Sequence, residues 1–259
     1  MARRTLSFIL LASAIAVTGI VPRFSPAAAN AAEIDFLSDD FYDYDDVSRE
    51  AGDPLEPLNR VIFRFNDKMY IHVMEPVASV YAAAVPLDLR ECIFNFFRNL
   101  EEPVRFLNAL LQGRFGDSGE VLTRFLINST LGIYGLGDAA TRVFDVPPVE
   151  ATLGETLAVW GVGDGAYLVV PFYGSSTIRD FTAVVGEGFG EPYYAWTDNY
   201  YYMGTVYAGK ETNKLSMHLG EYEELKSVLF DPYVSFRNAY FQYRSKVRGQ
   251  SRSVPDNAE

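Results

Sequence analysis

The chain has 259 residues and carries 22 basic against 34 acidic side chains, a net charge of −12, so its length allows one sizeable core or a modest two-domain arrangement. That acidic balance argues against a nucleic-acid binder, which needs a basic footprint. The single cysteine, Cys92, excludes an internal disulfide framework, and its apolar neighbours in "RECIFNFF" suggest a core thiol rather than a nucleophile. Aromatic content is the outlier, with 19 Phe, 17 Tyr and 2 Trp making 15% of the chain.

In chain order, Arg3 and Arg4 precede an apolar run from Leu6 to Val21, and "SPAAANAA" follows. A basic start, an apolar middle and a small-residue end make a secretory signal. Ala29-Asn30-Ala31 fits the cleavage pattern, placing the cut after Ala31 and the signal over residues 1–31. An uncleaved anchor is the other reading of the same run. Cleavage removes three arginines and no acid, taking the net charge from −12 to −15. Residues 32–52 are acidic and aperiodic, and read as a disordered leader. Their Asp-rich run lacks the glycine and closing glutamate of a calcium loop.

Helical order begins at "DPLEPLNRVIFRFNDKM", where Asp53 suits a cap, Pro54 a first turn and Glu56 a capping box. Leu58, Val61, Ile62, Phe65 and Met69 share one helical face. Pro76 is expected to end or kink that helix, and a short "EPVASVYAAAV" segment follows. Residues 87–113 read as two helices meeting near Asn99 to Pro103, with Gly113 as the stop. A helix from Asp117 or Ser118 leads into "STLGIYGLGD", whose glycines suit a hairpin or flexible loop. Pro147-Pro148 marks a turn. "TLGETLAVWGVGDG" is a short capped helix with a glycine exit, "AYLVVPFYG" an apolar extended segment, and "SSTIRDFTAVVGEGF" another short helix. Residues 198–248 read as mostly helical, restarting where Asp231 caps and Pro232 opens. The fold class is mainly α, with no internal repeat, and no apolar run beyond the signal approaches the roughly 18 residues of a spanning helix.

Three motifs scan as chemistry and fail on context. "GDSG" at residues 116–119 resembles a serine-protease nucleophile stretch, but only His72 and His218 are available as bases, and Asp117 and Ser118 suit a helix cap. "GLGDAA" at 135–140 matches a dinucleotide fingerprint without the strand–turn–helix that gives it meaning. The two histidines and Cys92 lack metal-ligand spacing. We therefore expect no enzyme, cofactor or metal. "EPYYAWTDNYYYMGTVY" at 191–207 suits either the headgroup zone of a bilayer or a tyrosine-rich core. "DPYVSFRNAYFQYR" interleaves Tyr233, Phe236, Tyr240 and Phe241 with Arg237, Arg244 and Lys246, which suits a membrane surface, a partner protein or a packed C-terminal helix.

Five blocks, "DPLEPLNRVIFRFND", "RNLEEPVRFLNALLQG", "RFLINSTLGIYGLGDAA", "LGETLAVWGVGDGAYLVVPFYGSSTIRD" and "DPYVSFRNAYFQYR", occur in order between Asp53 and Arg244 and strongly resemble the VacJ-like, or MlaA, family. The resemblance implies a single helical domain over 53–248, with a disordered tail at 249–259. It implies a ring lying in the outer membrane with a central amphipathic channel. The implied job is to take phospholipids mislocalised to the outer leaflet and pass them to a soluble periplasmic carrier serving an inner-membrane transporter, with trimeric porins as partners, so keeping the lipids asymmetric. A helical envelope scaffold that binds porins without moving lipid is the alternative. By the same resemblance, the Gly-rich loop with Leu131, Gly132, Gly135, Gly137 and Asp138 would tune the channel, and Asn59, Phe65 and Asn66 would hold the ring closed. Family members end their signal in a lipid-bearing cysteine, and none lies near residues 15–35 here. The expectation is outer-membrane attachment on the periplasmic side without an N-terminal lipid anchor.

Overall fold

The computed structural model describes residues 53–188 and 199–252. The expected signal, cleavage site and leader, and the extreme tail, lie outside these residues. The first helix, α1, spans Glu56–Met69, with Glu56 and Lys68 placed to complement the helix dipole. Asp53 does not cap it. The Asp53 carboxylate accepts instead from Asn59 Nδ2 at 2.9 Å and from the Tyr233 hydroxyl, while Glu56 bonds Arg60 Nε at 2.8 Å. The apolar stripe has the expected period, but only Ile62 and Met69 of it pack against the core clusters, while Leu58, Val61 and Phe65 face outward. Leu58 and Val61 are each 55% exposed, and the buried residues are Asn59 and Asn66.

Pro76 neither ends nor visibly breaks the run, because a π-turn over Tyr70–Met74 leads directly into α2, Glu75–Ala84. There the Glu75 N–H reaches back to the Tyr70 carbonyl, and this wide turn makes room for a ring that would otherwise strike the preceding turn. Residues 87–113 form one helix rather than two: α3, Leu87–Leu111, runs through Pro103. Beside the gap in the ladder, Arg105 Nη1 donates to the Arg98 carbonyl at 3.0 Å. Gly113, at φ +75°, terminates α3 as expected, with Gly113 N–H on Leu110 O and Arg114 N–H on Ala109 O, both at 3.0 Å. Helix α4, Phe115–Thr130, starts slightly earlier than the sequence suggests and packs back on α3. Asp117 bonds Arg114 Nε at 2.5 Å and Ser118 is buried, so neither caps it.

Residues 131–138 are neither a hairpin nor an open loop, and lead to α5, Ala139–Phe144. A reciprocal Thr152–Glu155 capping box opens α6, Leu153–Val159, and Gly161 at φ +87° follows its end. The apolar extended segment is β1, Tyr167–Val170, paired antiparallel with β2, Gly174–Thr177, in the register Tyr167↔Thr177. "SST" is therefore strand, and the helix expected there, α7, occupies Ile178–Gly188. The chain continues through α8, Tyr200–Leu215, α9, Glu221–Val228, and α10, Pro232–Arg252. As expected, Asp231 opens α10, accepting from Val234 N–H at 3.3 Å.

Among the described residues, the buried apolar clusters are small. One cluster joins Tyr70, Ala78 and Leu215, and another joins Tyr167, Val169 and Tyr233. Much of the remaining interior is polar: α3 buries Asn99, Glu102 and Asn108, and α4 buries Ser118, Arg124 and Asn128. Outward sit Val80, Leu107, Phe115, Leu126, Trp160 and Phe230, among others. Among the described residues, no helix is long and apolar enough to cross a membrane.

Candidate functional site

The two buried asparagines of α1 act on β1. Asn59 Nδ2 donates to the Tyr167 carbonyl at 3.1 Å, and its Oδ1 accepts from Val169 N–H at 2.9 Å. Two helical turns on, Asn66 Nδ2 donates to the Val170 carbonyl at 3.0 Å and Oδ1 accepts from Phe172 N–H at 2.9 Å. Each side-chain amide thus imitates a neighbouring strand along the free edge of β1. Phe65 sits on the outer side, 42% exposed, edge-on to Phe172 with ring centroids 5.2 Å apart. The three residues expected to hold the ring closed all meet one segment, Tyr167 to Phe172, more than a hundred positions away.

The Gly-rich loop is densely bonded. Tyr134 N–H reaches Ser129 O at 3.1 Å, Gly135 N–H reaches Asn128 O at 2.8 Å and Gly137 N–H reaches Gly132 O at 2.8 Å. Ile133, Tyr134 and Gly135 all have positive φ, at 54°, 56° and 85°. Two glycines are required by space. A Cβ on Gly132 would lie 2.2 Å from the Gly137 carbonyl, and one on Gly135 would lie 2.6 Å from Asn99 Cβ. The tight backbone turns apolar side chains outward: Leu131, Ile133, Tyr134 and Leu136 are all exposed.

Asp138 closes this loop. Its carboxylate receives Arg124 Nη2 at 3.0 and 3.1 Å, Asn128 Nδ2 at 3.1 Å and the Thr141 hydroxyl at 2.7 Å, and it caps α5 through Thr141 N–H. Burial opposes the charge, but the Thr141 hydroxyl and the Arg124 guanidinium outweigh it and hold the carboxyl below the usual range. Asn128 also accepts from Ala140 N–H at 2.9 Å, tying both ends of the turn to α4.

Behind the loop lies a set of charges that the sequence analysis did not single out. Arg124, 1% exposed, stands between Asp138 and Glu102, with its Nε 3.7 Å from Glu102 Oε1. Burial raises the Glu102 carboxyl against the pull of Arg105, Arg98 and Arg124, and its second oxygen has no partner. A second set joins Arg179, Asp180, Tyr240 and Arg244 beside Glu155. The available signal was Asn95, Asn99 and Glu102 at helical spacing, a stripe ordinarily read as a solvated face. Here it faces inward, with Asn95 Nδ2 3.4 Å from Leu136 O and Asn99 Nδ2 2.9 Å from the Ser129 hydroxyl.

The remaining motifs acquire no chemistry from their positions. Ser118 is buried in α4, His72 lies on the π-turn, and His218 Nδ1 pairs with Glu221 at 2.9 Å. "GLGDAA" enters α5, and among the described residues no parallel sheet surrounds it. Among the described residues, no group of three His, Cys, Asp or Glu side chains is placed to hold a metal ion.

A family model described as "MlaA lipoprotein" matches residues 51–247. An uncharacterised protein of Rickettsia conorii is 32% identical over 233 residues, covering 87% of this chain and 90% of its own length. The intermembrane phospholipid transport system lipoprotein MlaA of Escherichia coli is 36% identical over 197 residues, covering 74% of this chain and 76% of the relative. Its counterpart in Haemophilus influenzae is 32% identical over 196 residues, with 74% and 78% covered. A solved structure described as the structural basis for maintenance of bacterial outer membrane lipid asymmetry superposes with a TM-score of 0.65. It is 32% identical and covers 76% of this chain and 98% of its own. The word lipoprotein in these names stands against the expectation of a chain without an acyl anchor.

Proposed function

Given that the chain belongs to the MlaA lipoprotein family, we propose that it is the outer-membrane component of a phospholipid transport system. In this reading it removes mislocalised phospholipids from the outer leaflet and delivers them to a soluble periplasmic carrier, maintaining lipid asymmetry. The observation that carries the reading is the inverted distribution of polarity: Asn99, Glu102, Asn108, Arg124 and Asn128 inside, Leu58, Val80, Leu107 and Leu126 outside. Water rewards the opposite arrangement by about 25 cal/mol for each Å² of apolar surface buried, whereas hydrocarbon removes that penalty. A protein that lies in lipid and guides a headgroup needs an apolar rim and a polar interior. Such a path lowers the cost of taking a charged headgroup through hydrocarbon without any covalent step.

In the same reading the helices form a ring around the lipid path. The asparagine clasp of α1 on β1 supports ring closure, and the rigid turn at 131–138, with Leu131, Ile133 and Tyr134 turned outward, supports a gate beside the path. Trimeric porin is the proposed membrane partner. The test is outer-leaflet phospholipid in a deletion strain with and without the gene restored. Surface phospholipid is expected to rise on deletion and fall on restoration. An unchanged level, with the protein still in the outer membrane, would overturn transport in favour of a porin-binding scaffold.

A further inference from the structure

The outward face of α1 carries two kinds of side chain that water alone does not bring together. Leu58 and Val61 are each 55% exposed and Phe65 42%, and Arg64 and Lys68 are exposed beside them. At 100° per residue the order around the helix is Leu58 with Phe65, then Val61, then Lys68 with Arg64, then Asp67. An apolar seam and a basic seam therefore run side by side, with the basic seam between the apolar one and Asp67. Asp67 accepts from Lys226 Nζ at 2.5 Å and from the Tyr222 hydroxyl at 2.9 Å. That flank is thereby tied to α9, whose first turn holds Glu221, Glu223 and Glu224. Among the described residues, no carboxylate lies within 4.0 Å of the Arg64 guanidinium or the Lys68 ammonium. Arg64 places its Nε on the Arg60 carbonyl at 3.2 Å, while Glu56 and Asp231 pair with Arg60 itself. Like charges four residues apart repel, so this pair does not exist to support the helix.

We propose that the outer face of α1 lies along the phosphate layer of the membrane, its apolar seam in the hydrocarbon boundary and Arg64 and Lys68 paired with lipid phosphates. The inference rests on the membrane-lying reading above and adds where α1 sits within it. A helix lying in the interface seats its apolar side at the acyl boundary and keeps its Lys and Arg among the headgroups. Long basic side chains reach from apolar surroundings to that layer. The acidic first turn of α9, on the far flank, then falls on the water side, away from the anionic phosphates. The whole chain carries a net charge of −12, which repels an anionic surface. Salt screens exposed charges beyond about 8 Å, so the cations nearest the phosphates decide the local contact. An acidic protein partner offers charge alone. Lipid offers an apolar and an anionic surface at one boundary, in the order that α1 presents them.

The test carries the full-length protein in a non-ionic detergent and dilutes it into preformed vesicles, either phosphatidylcholine alone or phosphatidylcholine with phosphatidylglycerol. Bound protein is read by flotation, and the quantity compared is the ratio of the two partition coefficients. For wild type at low salt the ratio is expected to be about tenfold in favour of the anionic vesicles, falling toward one in concentrated salt. Arg64→Gln combined with Lys68→Gln is expected to bring the ratio near one at any salt. The exchange of Arg64→Lys with Lys68→Arg should keep the wild-type ratio. So should Arg142→Gln, which removes an exposed cation on α5. Thermal midpoints should not move, because both side chains are exposed. Equal ratios for wild type and the double Gln variant would overturn the proposal. A wild-type ratio of one, with binding to both vesicles, would overturn it and leave the membrane-lying reading standing. An equal loss in Arg142→Gln would make net charge the cause and reject the α1 face. A loss shared by the exchange variant, with a lowered midpoint, would make the two residues structural and would also overturn it. No binding of wild type to either vesicle would remove the membrane-lying reading itself, and this inference with it.

Discussion

Asn66 uses both ends of its amide on backbone groups of a segment that, among the described residues, has no other strand on that side. Asn66→Ala strands the Val170 carbonyl and the Phe172 N–H, and a buried unsatisfied group costs roughly 1–3 kcal/mol. Asn66→Asp keeps the acceptor and loses the donor, pointing a charge at a carbonyl. Chemical unfolding in detergent should therefore rank wild type above Ala and Ala above Asp, and the same order should hold at Asn59. A flat series would mean that the clasp contributes nothing to holding α1. Charge at buried carboxyls gives a second prediction. Asp138 is held below its ordinary 3.8, so its stabilisation is complete above that pH and is lost as pH falls through its lower folded value. Glu102 is raised above 4.5, so the folded state binds its proton first and stability grows as pH falls toward 4.5. The thermal midpoint should peak in mild acid and drop steeply below, with Glu102→Gln flattening the rise and Asp138→Asn the drop. These roles were only partly legible. The asparagines were noticed through a family resemblance, but an Asn between apolar neighbours on a helix reads as solvent-facing, and nothing in the period says which face meets water.

At the scale of the element, the helices whose limits follow local chemistry stood where the sequence put them. Gly113 ends α3, Thr152 with Glu155 starts α6, and Asp231-Pro232 starts α10. The elements that differed depend on a side chain bonding back within its own helix or on an uncommon turn. Pro103 reads as a break, and Arg105 bonding back to Arg98 O is invisible to propensity. Pro76 likewise reads as a stop until a π-turn accommodates it. The loop at 131–138 is the element on which glycine matters most, and it allows an internal control. Gly132→Ala places a methyl 2.2 Å from one backbone carbonyl and 2.5 Å from another, neither of which can rotate aside. It should cost at least 1–3 kcal/mol of the order seen on overpacking and expose the loop to proteolysis. Gly119→Ala, inside α4 with nothing within 4 Å of its new methyl, should hold or gain about 0.5–1 kcal/mol. If the loop gates the lipid path, Gly132→Ala should also change outer-leaflet phospholipid while the protein stays in the membrane fraction. Equal proteolysis of the two variants would show that the turn is not held by its tight backbone.

For the whole molecule, the decisive quantity is where apolar area ends up. Among the described residues, much of the buried apolar set is alanine, while Val80 is 72% exposed and Phe115 73%. Mainly α architecture was readable from spacing alone, but the inversion was not, because an amphipathic helix gives the same pattern whether its apolar face meets a core or a bilayer. The aromatic-rich stretch left that choice open, and Tyr201, 88% exposed, falls on the outward side. An outward apolar surface held in lipid predicts that alkaline carbonate leaves the protein in the membrane pellet, since carbonate strips charge-held proteins and not hydrocarbon-seated ones. It also predicts a positional dependence. A carboxylate at lipid depth costs about 2.5–3.5 kcal/mol, so Val80→Asp or Leu126→Asp should move a measurable fraction to the supernatant and two together should move more. Glu120→Gln, an exposed polar position on the same α4, should move none. Wild type recovered in the supernatant would sink the membrane-lying reading, and the exposed leucines and valines would then have to be covered by a protein partner. Retention of wild type with no effect from either aspartate would place Val80 and Leu126 outside the lipid belt and shift the search for it to Phe115, Trp160 and Phe230.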